Sequence, residues 1–194
     1  MGKIVISTNM SLDGVVQDPD GAEGFAQGGW FTRAGARNLE EWAKIEFAES
    51  LATEALLLGR RSDEWFATRW ESRPDDWADR LNGLPKFVVS STLAPSRWGN
   101  ATVLNGDLAD EVSRLKQTID GDIVVYASYQ LGSALLERDL VDEVRLFVFP
   151  VVVGGGVRLF GNQAECARLR LVQVSTVGDD LVFLTYRRVL ISEA

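Results

Sequence analysis

The sequence predicts an α/β fold with a mixed, mostly parallel sheet whose C-terminal edge is antiparallel. Short apolar runs alternate with amphipathic stretches as far as Phe149, the pattern of strands joined by helical crossovers. The last two apolar stretches, Leu169 to Val177 and Leu181 to Val189, are separated only by Gly178-Asp179-Asp180, which signals a hairpin. With 46% apolar and 25% charged residues in a chain of 194, the composition is that of an ordinary globular protein. Such a chain buries its core without disulfides or a structural metal. No linker, repeat or low-complexity segment interrupts it, so one domain over residues 1–194 is expected.

Lys3 to Ser7 reads as a buried strand, followed by the turn at Asp13-Gly14 and a long polar, glycine-rich loop from Gln17 to Gly29. From Arg37 to Thr53, Leu39, Trp42, Ala43, Phe47 and Leu51 recur at helical spacing with Glu40, Glu41, Lys44 and Glu49 between them, predicting an amphipathic helix. Ala55 to Leu58 is a short all-apolar strand ended by Gly59. A helix opening at Ser62, with Ser62 as N-cap, is expected after it. The segment with Pro74, Asp75, Asp76 and Asn82-Gly83 reads as polar loop. Strands at Lys86 to Ser90 and Ala101 to Leu104 follow, then a helix from Leu108 to Ile119, a strand at Asp122 to Tyr126, a helix from Gln130 to Arg138 and a strand at Glu143 to Phe149. Gly154-Gly155-Gly156 reads as a tight turn or bulge.

Composition removes several kinds of chemistry. The chain has no histidine, which excludes Ser-His-Asp and Cys-His relays and HExxH zinc sites. Its single cysteine, Cys166, forms no internal disulfide and has no imidazole to activate it; a spare thiol is expected. With 28 acidic against 20 basic residues, the net charge of -8 argues against nucleic-acid binding. No apolar run is long enough to span a bilayer and the N-terminus lacks the regions of a signal peptide, so the expected location is the cytoplasm. Neither a P-loop nor a GxGxxG fingerprint is present.

In an open α/β sheet, ligands settle beyond the carboxyl ends of the strands, and three such ends carry suitable residues. Gly59-Arg60-Arg61-Ser62 offers close backbone approach, two guanidiniums and a hydroxyl, although paired arginines are as readily solvated surface. Ser90-Ser91-Thr92 offers three hydroxyls, which are also common turn residues. Tyr126-Ala127-Ser128-Tyr129-Gln130 places small residues between a strand and a helix. All six tryptophans lie between Trp30 and Trp98; Trp30, Trp65 and Trp70 could wall a flat heteroaromatic ligand or simply pack in the core.

The succession KIVISTNMSLDG, LLLGRRS, LPKFVVSSTL, GDIVVYASYQL, LVDEVRLFVFPVVVGGGVRLF and LVFLTYRR resembles the dihydrofolate reductase-like superfamily. Within it, the chain is similar to stand-alone proteins related to the C-terminal reductase domain of the riboflavin-biosynthesis deaminase/reductase. The resemblance runs from Lys3 to Arg187 and implies a three-layer sandwich, a homodimer and an NADPH site. By resemblance, the segment Asn9 to Gly14 would lie beside the nicotinamide, with backbone groups near Asn9 holding its carboxamide; Arg60 would face the adenosine 2'-phosphate, and Arg61 and Ser62, after Gly59, would face the pyrophosphate. Ser90 and Ser91 would lie near the adenine ribose and its phosphate, and Ala127, Ser128, Tyr129 and Gln130 under the pyrophosphate and nicotinamide. The family turn usually begins with glycine and in dihydrofolate reductases contains a cis peptide; Ala127 departs from it, implying a remodelled turn or weaker cofactor binding. The carboxylate that holds the pterin in dihydrofolate reductases has no clear counterpart among Glu41, Glu46 and Glu49, and Phe147 stands where a pterin-side threonine would be, so folate is a poor substrate.

The expected activity is hydride transfer from NADPH to a small pteridine- or pyrimidine-like heterocycle or a carbonyl compound. The proton would come from Asp13, Tyr126, a helix glutamate or water; Asp13 has an equally good role capping its turn. The alternative is a non-catalytic NADP(H)-binding or regulatory module on the same fold. No metal is expected in either case.

Overall fold

The strands assemble in the order β4-β3-β2-β5-β1-β6-β8-β7, so the first strand lies near the middle of an eight-stranded sheet. The structure is a computed structural model and describes residues 1–92, 95–161 and 168–189; Cys166 lies outside the described residues. The strands are β1 (Lys3–Ser11), β2 (Thr53–Gly59), β3 (Lys86–Val89), β4 (Ala101–Leu104), β5 (Asp122–Tyr126), β6 (Glu143–Phe149), β7 (Leu169–Val177) and β8 (Leu181–Arg188). The helices are α1 (Ala36–Ala52), α2 (Arg60–Trp70), α3 (Asp76–Gly83), α4 (Leu108–Thr118) and α5 (Tyr129–Glu137), with a 3-10 turn at Phe31–Ala34. Strands β1 to β6 pair in parallel, and β8 is antiparallel to both β6 and β7, as expected.

Alternation along the central strands builds two core layers. Ile4, Ile6, Ala55, Leu57, Ile123 and Val125 pack under Val112 and Leu115 of α4 and Leu131 and Leu135 of α5. Their neighbours Val5, Leu56, Leu58, Val124 and Tyr126 face Phe66 and Trp70 of α2 and Ala78 and Leu81 of α3. On the same side as α2 and α3, residues of α1 pack against Phe147, Phe149 and Phe183. Both faces are covered, which is why these strands read as unbroken apolar runs. Burying each Leu, Ile or Val contributes roughly 2 kcal/mol.

Several local expectations need correction. The segment read as loop around Asp76 contains α3, whose N-cap is Asp75: its carboxylate accepts from the Ala78 N–H at 2.9 Å. Helix α2 starts at Arg60 with Gly59 as N-cap, so Ser62 lies inside the first turn and does not cap it. On α1 the buried residues are Asn38, Glu46 and Ser50 rather than the apolar set alone, while Leu51 is exposed. Residues four apart share a helix face, so Asn38, Trp42, Glu46 and Ser50 form one stripe. At its N-terminal end Asn38 supports the hairpin turn, accepting from the Asp179 N–H at 2.8 Å and donating to Asp180 at 2.6 Å. Gly178 there has φ 65 and a side chain would collide with Asn38, which accounts for the glycine.

Beneath the C-terminal half of α1, Arg145 of β6 is held by Glu49 at 2.8 Å, Asp122 at 2.7 Å and Glu143 at 2.6 Å. No helix among the described residues is long and apolar enough to cross a membrane.

Candidate functional site

Beyond the carboxyl ends of β1, β2, β3 and β5 lies a cavity of about 1030 Å³. It is at the upper end of the range for small-molecule sites, roughly 300–1,000 Å³. Asn9, Gly59, Arg60, Arg61, Ser62, Ser90, Ser91, Tyr126, Ala127, Ser128, Tyr129 and Gln130 all line it, so the topology brings the three strand ends singled out in the sequence to one place.

Of the helices whose first turns reach this cavity, α2 and α5 have no side-chain cap. Gly59, which has no side chain to offer, precedes α2, and Ser128 precedes α5 without its hydroxyl bonding that helix. Helices α3 and α4, whose Trp77 and Leu108 also line the cavity, are by contrast capped by Asp75 and Asp107. Uncapped N-termini present N–H groups and the positive end of the helix dipole, the local chemistry that binds phosphate. The two turns are tied together: the Ser128 N–H donates to Ser62 Oγ at 3.0 Å, and Ser128 Oγ accepts from the Gly59 N–H at 3.0 Å. Ala127 and Ser128 both adopt left-handed backbone, with φ 49 and 45. The turn is thus remodelled through two positive-φ residues, and it contains no cis peptide.

Arg60 reaches from the start of α2 to the β3 end, where its Nε donates to Ser90 Oγ at 3.2 Å and its Nη1 to the Pro95 carbonyl at 3.1 Å. Asn9 accepts from Trp42 Nε1 at 2.9 Å, which orients an aromatic wall from the end of β1. Pro19, Asp20, Ala22 and Glu23 of the 17–29 loop line the cavity. Asp20 accepts from Trp65 Nε1 at 2.8 Å and pairs with Arg69, while Glu23 accepts from the Tyr129 hydroxyl at 3.3 Å.

The two residues foremost as proton donors are placed differently. Asp13 does not line the cavity. Its carboxylate accepts from the Val153 N–H at 3.0 Å, Ser11 Oγ at 2.7 Å and the Gly154 N–H at 2.8 Å, which hold its pKa down to about 2. An acid so ionised keeps no proton near neutrality, and Asp13 serves as an anchor between the β1 turn and the 153–154 loop. Tyr126 does line the cavity, with its hydroxyl buried and unpaired among the described residues. Burial, reinforced chiefly by the neighbouring Glu49 carboxylate, pushes its pKa well above the usual phenol value.

Of the three helix glutamates considered from the sequence, Glu46 is the one in the cavity wall. It is buried, and burial together with the neighbouring Glu49 raises its pKa well above the ordinary 4.5 against the opposing pull of Arg145. It therefore holds a proton where Asp13 cannot. Glu49 instead pairs with Arg145. The aromatic expectation holds for Trp65 and Trp70 but not Trp30, which is core: it packs on Phe149 and its Nε1 donates to the Gln17 carbonyl. Trp42 and Trp77 line the cavity and were not singled out. The every-fourth-residue stripe Asn38-Trp42-Glu46-Ser50 is the signal that would have found both Trp42 and Glu46.

The profile of the RibD C-terminal domain family matches residues 2–183. The uncharacterized protein YyaP of Bacillus subtilis is 33% identical over 138 residues, covering 69% of this chain and 73% of that one. A Shewanella sp. PV-4 protein named for riboflavin biosynthesis superposes with a TM-score of 0.76 at 22% identity, covering 97% of this chain and 99% of that one. A Thermotoga maritima diaminohydroxyphosphoribosylaminopyrimidine deaminase/5-amino-6-(5-phosphoribosylamino)uracil reductase gives 0.58 at 15% identity, with 97% of this chain matched to 57% of that one. Dihydrofolate reductase of Enterococcus faecalis, solved with NADP(H), gives 0.59 at 13% identity and 96% coverage of both chains. At these identities the structural matches establish the shared fold.

Proposed function

The chain belongs to the RibD C-terminal domain family, and from that membership and the cavity we propose that it is an NADPH-dependent reductase acting on a small pteridine- or pyrimidine-like heterocycle or a carbonyl compound. The observation that carries this is the pair of uncapped helix N-termini, joined by Ser62 and Ser128, with Arg60 beside them. That donor set fits a dinucleotide phosphate chain and an additional phosphate.

When bound, NADPH would supply the hydride from its nicotinamide C4. The chain's own residues do the rest. Arg61, Ser62 and the first N–H groups of α2 and α5 would hold the pyrophosphate, with Gly59, Ala127, Ser128, Tyr129 and Gln130 forming its floor. Arg60, Ser90 and Ser91 would hold the adenosine phosphate, and the Asn9 segment would position the carboxamide end. The 17–29 loop, fixed by Asp20 and Glu23, would exclude water from the reacting faces. Glu46 would hold the proton that the reduced substrate atom needs, and Tyr126, which keeps its own proton, would offer a hydrogen bond. A homodimer built on the late strands belongs to the same reading: β7 is an edge strand, and Leu169, Leu171, Val172 and Val174 are exposed on it.

Ala127 supports one rival. Its methyl is exposed where the family turn usually has glycine, which suits a non-catalytic NADP(H)-binding module with relaxed affinity. The test is to follow NADPH absorbance with the protein and a panel of pterins, pyrimidinones and quinones. Oxidation with at least one is expected. Tight NADPH binding with no oxidation by any would favour the module, and absence of NADPH binding would overturn both readings.

A further inference from the structure

Six aromatic side chains run without a break along one wall of the cavity. Ring centroids are 4.9 Å apart from Phe31 to Trp42, 6.0 Å from Trp42 to Trp77 and 4.9 Å from Trp77 to Trp70. They continue at 6.4 Å to Phe66 and 4.9 Å to Trp65. These residues come from the 3-10 turn, α1, α3 and α2, so separate elements converge to make the wall.

Charge is distributed just as unevenly. Among the described residues, the cationic side chains in the lining are Arg60 and Arg61, both in the first turn of α2, where the cofactor phosphates are assigned. The other charged or titratable carboxyls there are Asp20 and Glu23 at the loop and Glu46 on α1. The end of the cavity bounded by Phe31, Trp42, Glu46 and Trp77 thus has flat apolar faces and the one carboxyl of Glu46. Among the described residues its lining has no guanidinium or ammonium, and the helix start beside Trp77, that of α3, is already capped by the Asp75 carboxylate. At its floor, the hydroxyls of Ser7 and Tyr126 are buried without a protein partner among the described residues, and buried hydroxyls are nearly always hydrogen-bonded.

We propose that the substrate is a planar, unphosphorylated heteroaromatic molecule that stacks on the Trp42–Trp77 wall and directs its polar edge to Glu46. This deepens the reductase reading and rests on it for the assignment of the α2 end to the cofactor. Stacking area and a few polar contacts at one edge are what a fused heterocycle uses. A phosphate dianion would instead be desolvated among these rings beside Glu46, where no cationic side chain lines the cavity among the described residues. The Thermotoga maritima protein, which shares the fold, is named for a phosphoribosylamino-uracil, so the proposal gives this chain a substrate class other than the one in that name.

The experiment is a tryptophan-fluorescence titration of the full chain, saturated with NADP+, using hydroxymethylpterin and its monophosphate ester as probes. The pterin is expected to bind at least about tenfold more tightly than the ester. Trp77→Leu should weaken the pterin by about tenfold, the size of one lost stacking contact, while NADP+ affinity stays within about twofold. Where Trp77→Leu does not fold by circular dichroism, Trp77→Phe serves, with a smaller loss in the same direction. Equal or tighter binding of the ester, failure of the pterin to bind, or pterin binding untouched by the folded Trp77 variant would overturn the proposal. The two readings fail separately. Oxidation of NADPH with the ester preferred removes the substrate class and keeps the reductase, whereas preferred pterin binding without oxidation by any heterocycle does the reverse.

Discussion

Ser62 and Ser128 are 66 residues apart in sequence and exchange one strand-end turn for another: the Ser128 N–H bonds Ser62 Oγ at 3.0 Å, while Ser128 Oγ takes the Gly59 N–H at 3.0 Å. Neither hydroxyl is spent on capping its own helix, which leaves the N–H groups of α2 and α5 facing the cavity. Ser62→Ala and Ser128→Ala should each destabilise by about 1–2 kcal/mol, since each orphans a backbone donor. The double variant should cost less than the sum, because the pair acts as one latch. Urea denaturation of the four proteins measures the coupling; strict additivity would dissolve the latch.

This latch also marks the boundary of what was legible in the sequence. Strands β4, β5 and β6 and the β7–β8 hairpin carry their own signals in apolar runs and turn residues, so the sheet could be read locally. Ser62 was misread because a serine at a helix start ordinarily caps it, and only the fold supplies the Ser128 N–H that claims the hydroxyl. Asp13 has the same history: its decisive partners, Val153 and Gly154, lie 140 and 141 residues away. Glu46 and Glu49 are chemically identical on one helix, and what separates them is that Glu49 meets Arg145 and Glu46 meets the cavity. Helix α3 was hidden by its turn-rich flanks, although Trp77 and Leu81 sit at the four-residue spacing of one helix face.

Replacing Ala127 with glycine should help both stability and binding. An alanine at φ 49 is held in the left-handed region, at a cost of roughly 1 kcal/mol that glycine does not bear. Ala127→Gly is expected to gain about 0.5–1 kcal/mol in denaturant titration and to tighten NADPH binding by removing a methyl from the cavity. A loss of stability would show that the left-handed turn carries no strain.

For Arg60→Ala, NADPH affinity should fall by roughly tenfold to a hundredfold, the worth of a charge-assisted contact, with a much smaller change for NADH. Parallel titrations with the two cofactors measure the difference. Equal losses would remove Arg60 from the 2'-phosphate.

Glu46 sets two pH dependences. If its carboxyl supplies the proton, turnover falls as pH rises through its elevated pKa, and Glu46→Gln loses that alkaline limb together with roughly a hundredfold in rate. For stability, the unfolded chain ionises near the ordinary value of 4.5 while the native state keeps its proton, so this residue erodes stability as pH rises above 4.5. The melting temperature of Glu46→Gln should therefore gain on that of the parent with increasing pH and lose its advantage below 4.5. A constant gap across pH would mean that the native carboxyl is ionised.

Arg145→Met should be the most damaging change away from the cavity. It leaves Glu49, Asp122 and Glu143 facing one another beneath α1, with Glu143 keeping only Arg187 and Asp122 keeping Lys3. Loss of one partner from a buried ionic cluster costs about 3–5 kcal/mol. Calorimetry near neutrality should show that loss, and it should shrink in acid as the freed carboxyls protonate.

The strand order has a consequence for how the chain folds. Among the described residues strand β1 pairs with β5 and β6 alone, so it finds no sheet partner until residue 122 has been made. Strand β2 can zip with β3 and β4 earlier, but it meets β1 only through β5. Productive folding must wait for β5 to insert as the keystone between two preformed edges, a high-contact-order step that makes for slow folding. Truncations ending after β4 should expose those edges and aggregate.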